Sequence, residues 1–140
     1  MVIALRKVAN HGSRTAGRAI VAAILAALLM KFFIIDFMIA EGSSMAPAIK
    51  PGSILAVWKV SYGIRLPGTN MYLLHWRVPR VGDVVVFYTP LGEVAVKRCG
   101  EILSPGVFYV LGDNSSQSYD SRYYGPISRD YVIGRVLGIK

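Results

Sequence analysis

From Ala19 to Ala40 apolar residues run almost without a break, interrupted only by Lys31 and Asp36; beyond Ala40 the pattern changes to short apolar runs bounded by Gly and Pro. A hydrocarbon core of ~30 Å needs roughly 20 apolar residues in a helix, so Gly17 to about Ile34 reads as a transmembrane helix. Lys31, near its far end, can snorkel its ammonium to the interface, which places the chain from Ile35 onward outside the membrane. A cleavable signal peptide is the competing reading, because it too has a basic start and an apolar centre. The length of the run and the lack of a clean small-x-small site at its end favour an anchor.

After the anchor no helix-period pattern of useful length occurs. Runs rich in valine, isoleucine and aromatics predict strands at Ile35–Ala40, Ser53–Val60, Asp83–Tyr88, Glu93–Cys99, Val107–Leu111 and Val132–Ile139. Turns are expected at Lys50-Pro51-Gly52, Thr89-Pro90-Leu91-Gly92 and Ser104-Pro105-Gly106. The expected fold is therefore mainly β, an N-terminal transmembrane helix followed by a compact, partly closed β-barrel-like domain. Its parts are a basic cytoplasmic N-terminus over 1–16, an anchor over 17–35 and an extracytoplasmic catalytic domain over 36–140. The segment from Tyr62 to Arg80 reads as a loop, yet it carries Tyr62, Met71, Tyr72, Leu73, Leu74 and Trp76. Such a loop either dips into the outer headgroups or packs its aromatics on its own barrel.

Charge sets the orientation. Arg6, Lys7, Arg14 and Arg18 give the first 18 residues +4 of the total +8, with no acid among them, and the positive-inside rule leaves that end in the cytoplasm. The remaining +4 comes from 12 basic and 8 acidic residues interleaved from Lys31 to Lys140, which is no nucleic-acid stripe. A mildly basic face toward anionic lipid and an ordinary solvated surface both fit it. Cys99 is the only cysteine, so the chain forms no internal disulfide, and a small buried hydrophobe is its expected role.

The chemistry centres on Ser44, in the run Gly42-Ser43-Ser44-Met45-Ala46-Pro47, and on Lys97, 53 positions later in a β-rich stretch. A serine hydroxyl needs a base beside it, and a lysine serves if burial strips its charge. Val94, Ala95 and Val96 precede Lys97 and could enclose it. Of the two histidines, His11 precedes the anchor and would lie across the membrane from Ser44, and His75 has no acid near it in sequence to complete a triad. No cofactor is called for and no metal-ligand set is visible. The stretch Gly112-Asp113-Asn114-Ser115-Ser116-Gln117-Ser118-Tyr119-Asp120-Ser121-Arg122 is turn-rich and dense in hydrogen-bonding groups. Asp120 pairing with Arg98 would pin the strand that bears Lys97. Asn114-Ser115-Ser116 also fits a glycosylation acceptor, relevant only in a eukaryotic secretory setting.

These segments together resemble type I signal peptidases, the membrane-bound serine/lysine proteases. The resemblance runs from about Ala19 to Ile139 and includes Ser44-Met45-Ala46-Pro47, Gly82-Asp83-Val84-Val85-Val86-Phe87, Val96-Lys97-Arg98 and Gly112 to Arg122. It implies Ser44 as nucleophile and Lys97 as general base and later acid. It also implies Ser118 hydrogen-bonding the Lys97 amine, a supporting network of Asp120, Arg122 and Arg98, and the Ser44 N–H as oxyanion donor. The implied substrate is the extended segment after the apolar core of a signal peptide, cut after a small-x-small site, with Met38, Ala40, Gly42, Met45, Ile49 and Val96 forming the pockets. Implied partners are exported preproteins, membrane lipid and the export machinery, in a bacterial cytoplasmic membrane rather than a mitochondrial inner membrane. A lysine base also sets the chain apart from endoplasmic-reticulum relatives, which use histidine.

Two departures stand out. Some members carry a serine two residues before the nucleophile as a second oxyanion donor, where this chain has Gly42; losing such a donor costs about 100-fold or more. The segment Cys99 to Gly112 is also short, where most relatives insert a hairpin or a further β domain. It leaves open a dedicated peptidase with few substrates, of pilin or conjugation type, beside a general one. A catalytically silent anchored binding module fits poorly with Ser44, Lys97 and Ser118 all being present.

Overall fold

The computed structural model of the protein describes residues 11–66 and 68–139; the basic positions Arg6 and Lys7 lie outside them. Helix α1 (His11–Phe33) begins six residues before the expected start, and its stretch Thr15–Phe33 is long and apolar enough to cross a membrane, with none of it buried inside the protein. The side chains from Thr15 to Phe32 are exposed, and Phe33 is half-buried where the helix meets the sheet. Its last turn closes with the Ile34 N–H donating to the Met30 carbonyl at 2.8 Å, and strand β1 (Ile35–Ile39) starts at the next residue.

Among the described residues nine strands follow. Beside β1 they are β2 (Ile54–Trp58), β3 (Gly63–Arg65), β4 (Tyr72–His75), β5 (Val84–Tyr88), β6 (Val94–Ser104), β7 (Val107–Leu111), β8 (Ile127–Ser128) and β9 (Val132–Val136). Seven of these form one antiparallel sheet in the order β1-β2-β9-β5-β6-β7-β8, and β3 pairs with β4 in a small second sheet. The large sheet ends in two edges, β1 and β8, so the barrel is only partly closed, as expected.

Strand β5 shows why the sequence folds this way. Side chains alternate along a strand, and in Val-Val-Val-Phe-Tyr the residues Val84 and Val86 join one core cluster while Val85 and Phe87 join another. An unbroken apolar run is what a strand covered on both faces requires. The first cluster adds Ala40, Met45, Ile49, Leu55 and Val57; the second adds Tyr62, Cys99, Phe108, Val110 and Val132. Cys99 is buried and its thiol is pushed up to about 12, chiefly by that burial, so it packs as a hydrophobe.

Three expectations change. The Tyr62–Arg80 segment is not one loop, because it contains the β3–β4 hairpin, with Gly63 opposite His75. Tyr62 and Tyr72 turn inward, their hydroxyls donating to Asp83 Oδ2 at 2.9 Å and to the Val132 carbonyl at 2.6 Å, while Met71, Leu73, Leu74 and Trp76 stay exposed. Strand β6 does not stop at Cys99 but runs through Gly100 to Ser104, held by an irregular register with β7. Strand β9 ends at Val136, earlier than expected, and the two-residue β8 has no sequence signal of its own.

Candidate active site

Ser44 sits in the turn after β1, and the residues after it anchor that turn. Met45 and Ile49 are buried in the first core cluster, with the Ile49 N–H donating to the Met45 carbonyl at 2.8 Å and the Ala46 N–H to the Ser43 carbonyl at 3.1 Å. The nucleophile candidate is thus held by core packing rather than left on a free loop.

Lys97 comes from the middle of β6, opposite Val85 of β5, and is only 6% exposed. Its Nζ stands 2.5 Å from Ser44 Oγ, close enough for a proton to pass between them. Burial lowers the Lys97 amine below its ordinary value, and the nearby Asp120 carboxylate pulls in the opposite direction without cancelling the effect. The pair therefore combines contact geometry with a base that loses its proton more readily than a solvated lysine.

The loop after β7 supplies the surroundings. Asp120 is completely buried and accepts from the Gly112 N–H at 2.8 Å, the Ser118 hydroxyl at 2.6 Å, and Arg122 Nε and Nη2 at 2.9 and 2.7 Å. Burial alone would raise this carboxyl, but the hydrogen bonds from Arg122, Gly112 and Ser118 hold it well below the carboxylate range. The same side chain caps the short helix α2 (Ser121–Tyr124) by accepting from the Arg122 N–H.

Two expected contacts come out differently. The Ser118 hydroxyl donates to Asp120, and no hydrogen bond joins it to the Lys97 amine, whose partner is Ser44 Oγ. Arg98 does not pair with Asp120. Its Nε and Nη2 fork onto both oxygens of Asp113 at 2.8 Å each, and Nη1 donates to the Gly82 carbonyl at 3.0 Å. Asp120 is satisfied by Arg122 instead.

A cleft of about 300 Å³ opens on Ser44 and Lys97 and is lined by Met38, Ala40 and Val96 among the expected residues, joined by Leu55, Val86 and Val94. Gly42 borders the turn with φ +76°, while Met45 and Ile49 are buried beneath it and do not line the cleft. Two strand edges face this space: β1 is an edge of the sheet, and Val94 to Lys97 pair only with β5, since the pairing with β7 begins at Arg98. Open edges accept an extended peptide as an added strand.

His75 lies elsewhere. Asp130, remote in sequence, comes to 3.8 Å from its Nε2, too far for a hydrogen bond, and that nitrogen has no partner. Burial lowers its pKa, with Arg129 adding to the effect and Asp130 opposing it. Among the described residues no group of three or more His, Cys, Asp or Glu could hold a metal. Another cleft, of about 230 Å³, lies where α1 meets the sheet; there Lys59 pairs with Asp36 at 3.4 Å and Arg65 donates to the Thr69 and Val132 carbonyls.

Asp113, Gly112 and Asn114 shape the site although sequence reasoning assigned them no part. Asp113 neutralises the residue next to Lys97, and the Asn114 N–H donates to the Ser44 carbonyl at 2.9 Å. Their adjacency in a Gly-Asp-Asn run was the available signal; the direction of each contact was not.

Comparison with known proteins adds an independent line. A family model described as signal peptidase, peptidase S26, matches residues 13–102 and 94–139. The chain is similar to a probable signal peptidase I-1 of Synechocystis sp., 28% identical over 160 residues that cover 82% of this chain and 76% of the relative. It is similar to a signal peptidase I of Leptolyngbya laminosa, at 26% identity covering 91% and 77%, and to one of Bacillus caldolyticus, at 24% covering 81% and 84%.

Proposed function

The chain belongs to the signal peptidase family, peptidase S26, and from that premise we propose that it cleaves with Ser44 as nucleophile and Lys97 as general base. It is a signal-peptide-cleaving peptidase of the serine class. The 2.5 Å approach of a buried Lys97 amine to the Ser44 hydroxyl is the observation that carries the mechanism.

Neutral Lys97 takes the Ser44 proton as Oγ attacks the scissile carbonyl. The resulting tetrahedral oxyanion accepts from the Ser44 N–H. Lys97, now an ammonium, returns the proton to the leaving amine, whose departure leaves an ester on Ser44. Water, deprotonated by Lys97, then hydrolyses that ester and regenerates both groups. The Arg98–Asp113 fork ties the strand that carries Lys97 to the loop after β7, and the Asn114 N–H ties the Ser44 carbonyl to the same loop, which the Asp120–Arg122–Ser118 cluster braces from within.

The substrate is an extended preprotein segment entering between the β1 edge and Val94 to Lys97, with small side chains against Met38, Ala40 and Val96. Helix α1 anchors the enzyme in a bacterial cytoplasmic membrane with its N-terminus inside, so that the cleft works on the outer side, beside the export machinery. The exposed Met71, Leu73, Leu74 and Trp76 are suited to contact with lipid headgroups there.

Purified protein in detergent is expected to cleave a preprotein after a small-x-small site; an intact precursor at high enzyme concentration would count against the reading. Because only the neutral amine accepts the proton, kcat/KM should fall about tenfold per pH unit below the pKa of Lys97. Burial depresses that pKa, so activity should appear below the pH at which a solvated lysine deprotonates. A pH profile flat down to pH ~5 would exclude the lysine base. His75→Ala should retain activity within about twofold in the same assay, since no hydrogen bond links His75 to the site.

A further inference from the structure

The Ser43–Ser44 peptide bond has its two polar ends in different situations. The Ser44 N–H has no hydrogen-bond partner among the described residues, whereas the Ser43 carbonyl accepts twice, from the Ala46 N–H at 3.1 Å and from Asn114 Nδ2 at 3.2 Å. The orientation of that amide follows from its contacts. A carbonyl only accepts, so Nδ2 must face Ser43, and Asn114 Oδ1 accepts from the Ser116 hydroxyl at 3.0 Å. The Asn114 backbone N–H meanwhile donates to the Ser44 carbonyl at 2.9 Å. One asparagine thus grips the carbonyls on both sides of the nucleophile.

We propose that Asn114 is a positioning residue for the oxyanion: it holds the Ser43 carbonyl, and through the planar peptide it aims and polarises the Ser44 N–H at the charge that develops on the substrate. The inference rests on Ser44 being the nucleophile. Its physics is short. A trans peptide is rigid, with C=O and N–H pointing opposite ways, so fixing the oxygen fixes the direction of the proton. A carbonyl that accepts hydrogen bonds also polarises the N–H across the same amide, making it a better donor. An unpartnered N–H aimed in advance costs no reorganisation when the oxyanion forms. The grip matters more here because Gly42 offers no side-chain hydroxyl as a second donor.

Being directed at the transition state, this effect should appear in kcat and not in substrate binding. Asn114→Ala removes the side-chain donor but keeps the backbone N–H on Ser44. The full chain in detergent should then lose about tenfold to 100-fold in kcat, less than or comparable to deletion of an oxyanion donor, with KM within about twofold. The acid limb of the pH profile should not move, since Lys97 is untouched. A peptide boronate, which forms a tetrahedral anionic adduct on serine, should bind the variant more weakly by a similar factor. Ser116→Ala, which frees the Asn114 amide without entering the site, should give a smaller loss of the same kind and covers the case in which Asn114→Ala does not fold. Unchanged kcat in a folded Asn114→Ala, or in Ser116→Ala if only that variant folds, would overturn the proposal. So would a loss confined to KM, a shifted acid limb, or a kcat loss with undiminished boronate affinity. If the unaltered enzyme neither cleaves the preprotein nor binds the boronate, the nucleophile assignment itself has failed.

Discussion

Lys97→Ala is expected to lower kcat by about 10³-fold or more while the protein keeps its melting temperature or gains slightly. A positioned general base contributes about 10²–10⁴-fold, and here the same amine also serves as the acid for the leaving group, so both steps lose their proton carrier. The melting temperature should hold because the side chain is 6% exposed and its amine is disfavoured by desolvation, so removing it relieves a cost while opening some space. Lys97→Arg should be as inactive, since a guanidinium stays charged in any attainable pH. Single-turnover cleavage of a preprotein together with thermal unfolding measures both quantities. Robust cleavage by either variant would remove Lys97 from the chemistry and leave its 2.5 Å contact with Ser44 a packing detail.

Gly112→Ala is expected to lose at least about 100-fold in activity although it adds a single methyl group. That carbon would collide with Ser118 Oγ and stand 2.5 Å from Ser118 Cβ and 2.7 Å from the Ser44 carbonyl oxygen. Gly112 does not sit at a positive φ, so the requirement is for close approach alone. Two of the obstacles cannot swing away, because Ser118 is buried and bonded to Asp120 and the Ser44 carbonyl is held by Asn114. The methyl must therefore displace Ser44, Ser118 or both, and a shift of about 1 Å in a reacting group can cost 10²-fold. Overpacking of this kind typically costs about 1–3 kcal/mol of stability, so the folded variant should be obtainable at a reduced melting temperature. Full activity in Gly112→Ala would mean that the loop after β7 can back away from Ser44 freely.

How much of this was legible in the chain depended on whether a feature was local. The α1 span and strands β1, β5 and β7 announced themselves because each is a dense apolar run closed by polar or turn residues. The serine and lysine were legible as chemistry, since a hydroxyl without a histidine nearby needs another base. What failed depended on register. Arg98 lies opposite Leu111, so Asp113, two residues further on, falls on the same side of the sheet and captures the guanidinium ahead of Asp120. Nothing short of the β6–β7 pairing reveals that choice. The partner of the Ser118 hydroxyl is likewise set by the fold, which buries the Asp120 carboxylate beside it. The β3–β4 hairpin escaped because its strands are short, lie either side of Pro67-Gly68, and include the exposed pair Leu73 and Leu74 that breaks alternation. The resemblance implied Met45 and Ile49 as pocket walls, yet their apolar bulk lies in the core beneath Ser44 and anchors its turn.

Only Ile34 separates the end of α1 from the start of β1, and β1 leads through Ala40 to the turn that holds Ser44. At ~3.3 Å per residue the stretch from Ile35 to Ala40 spans at most ~20 Å. The Lys59 backbone N–H braces the junction by donating to the Ile34 carbonyl at 2.8 Å. With no slack between helix and strand, an α1 seated in a bilayer as proposed would work as a ruler: its depth would set the height at which a passing chain is cut.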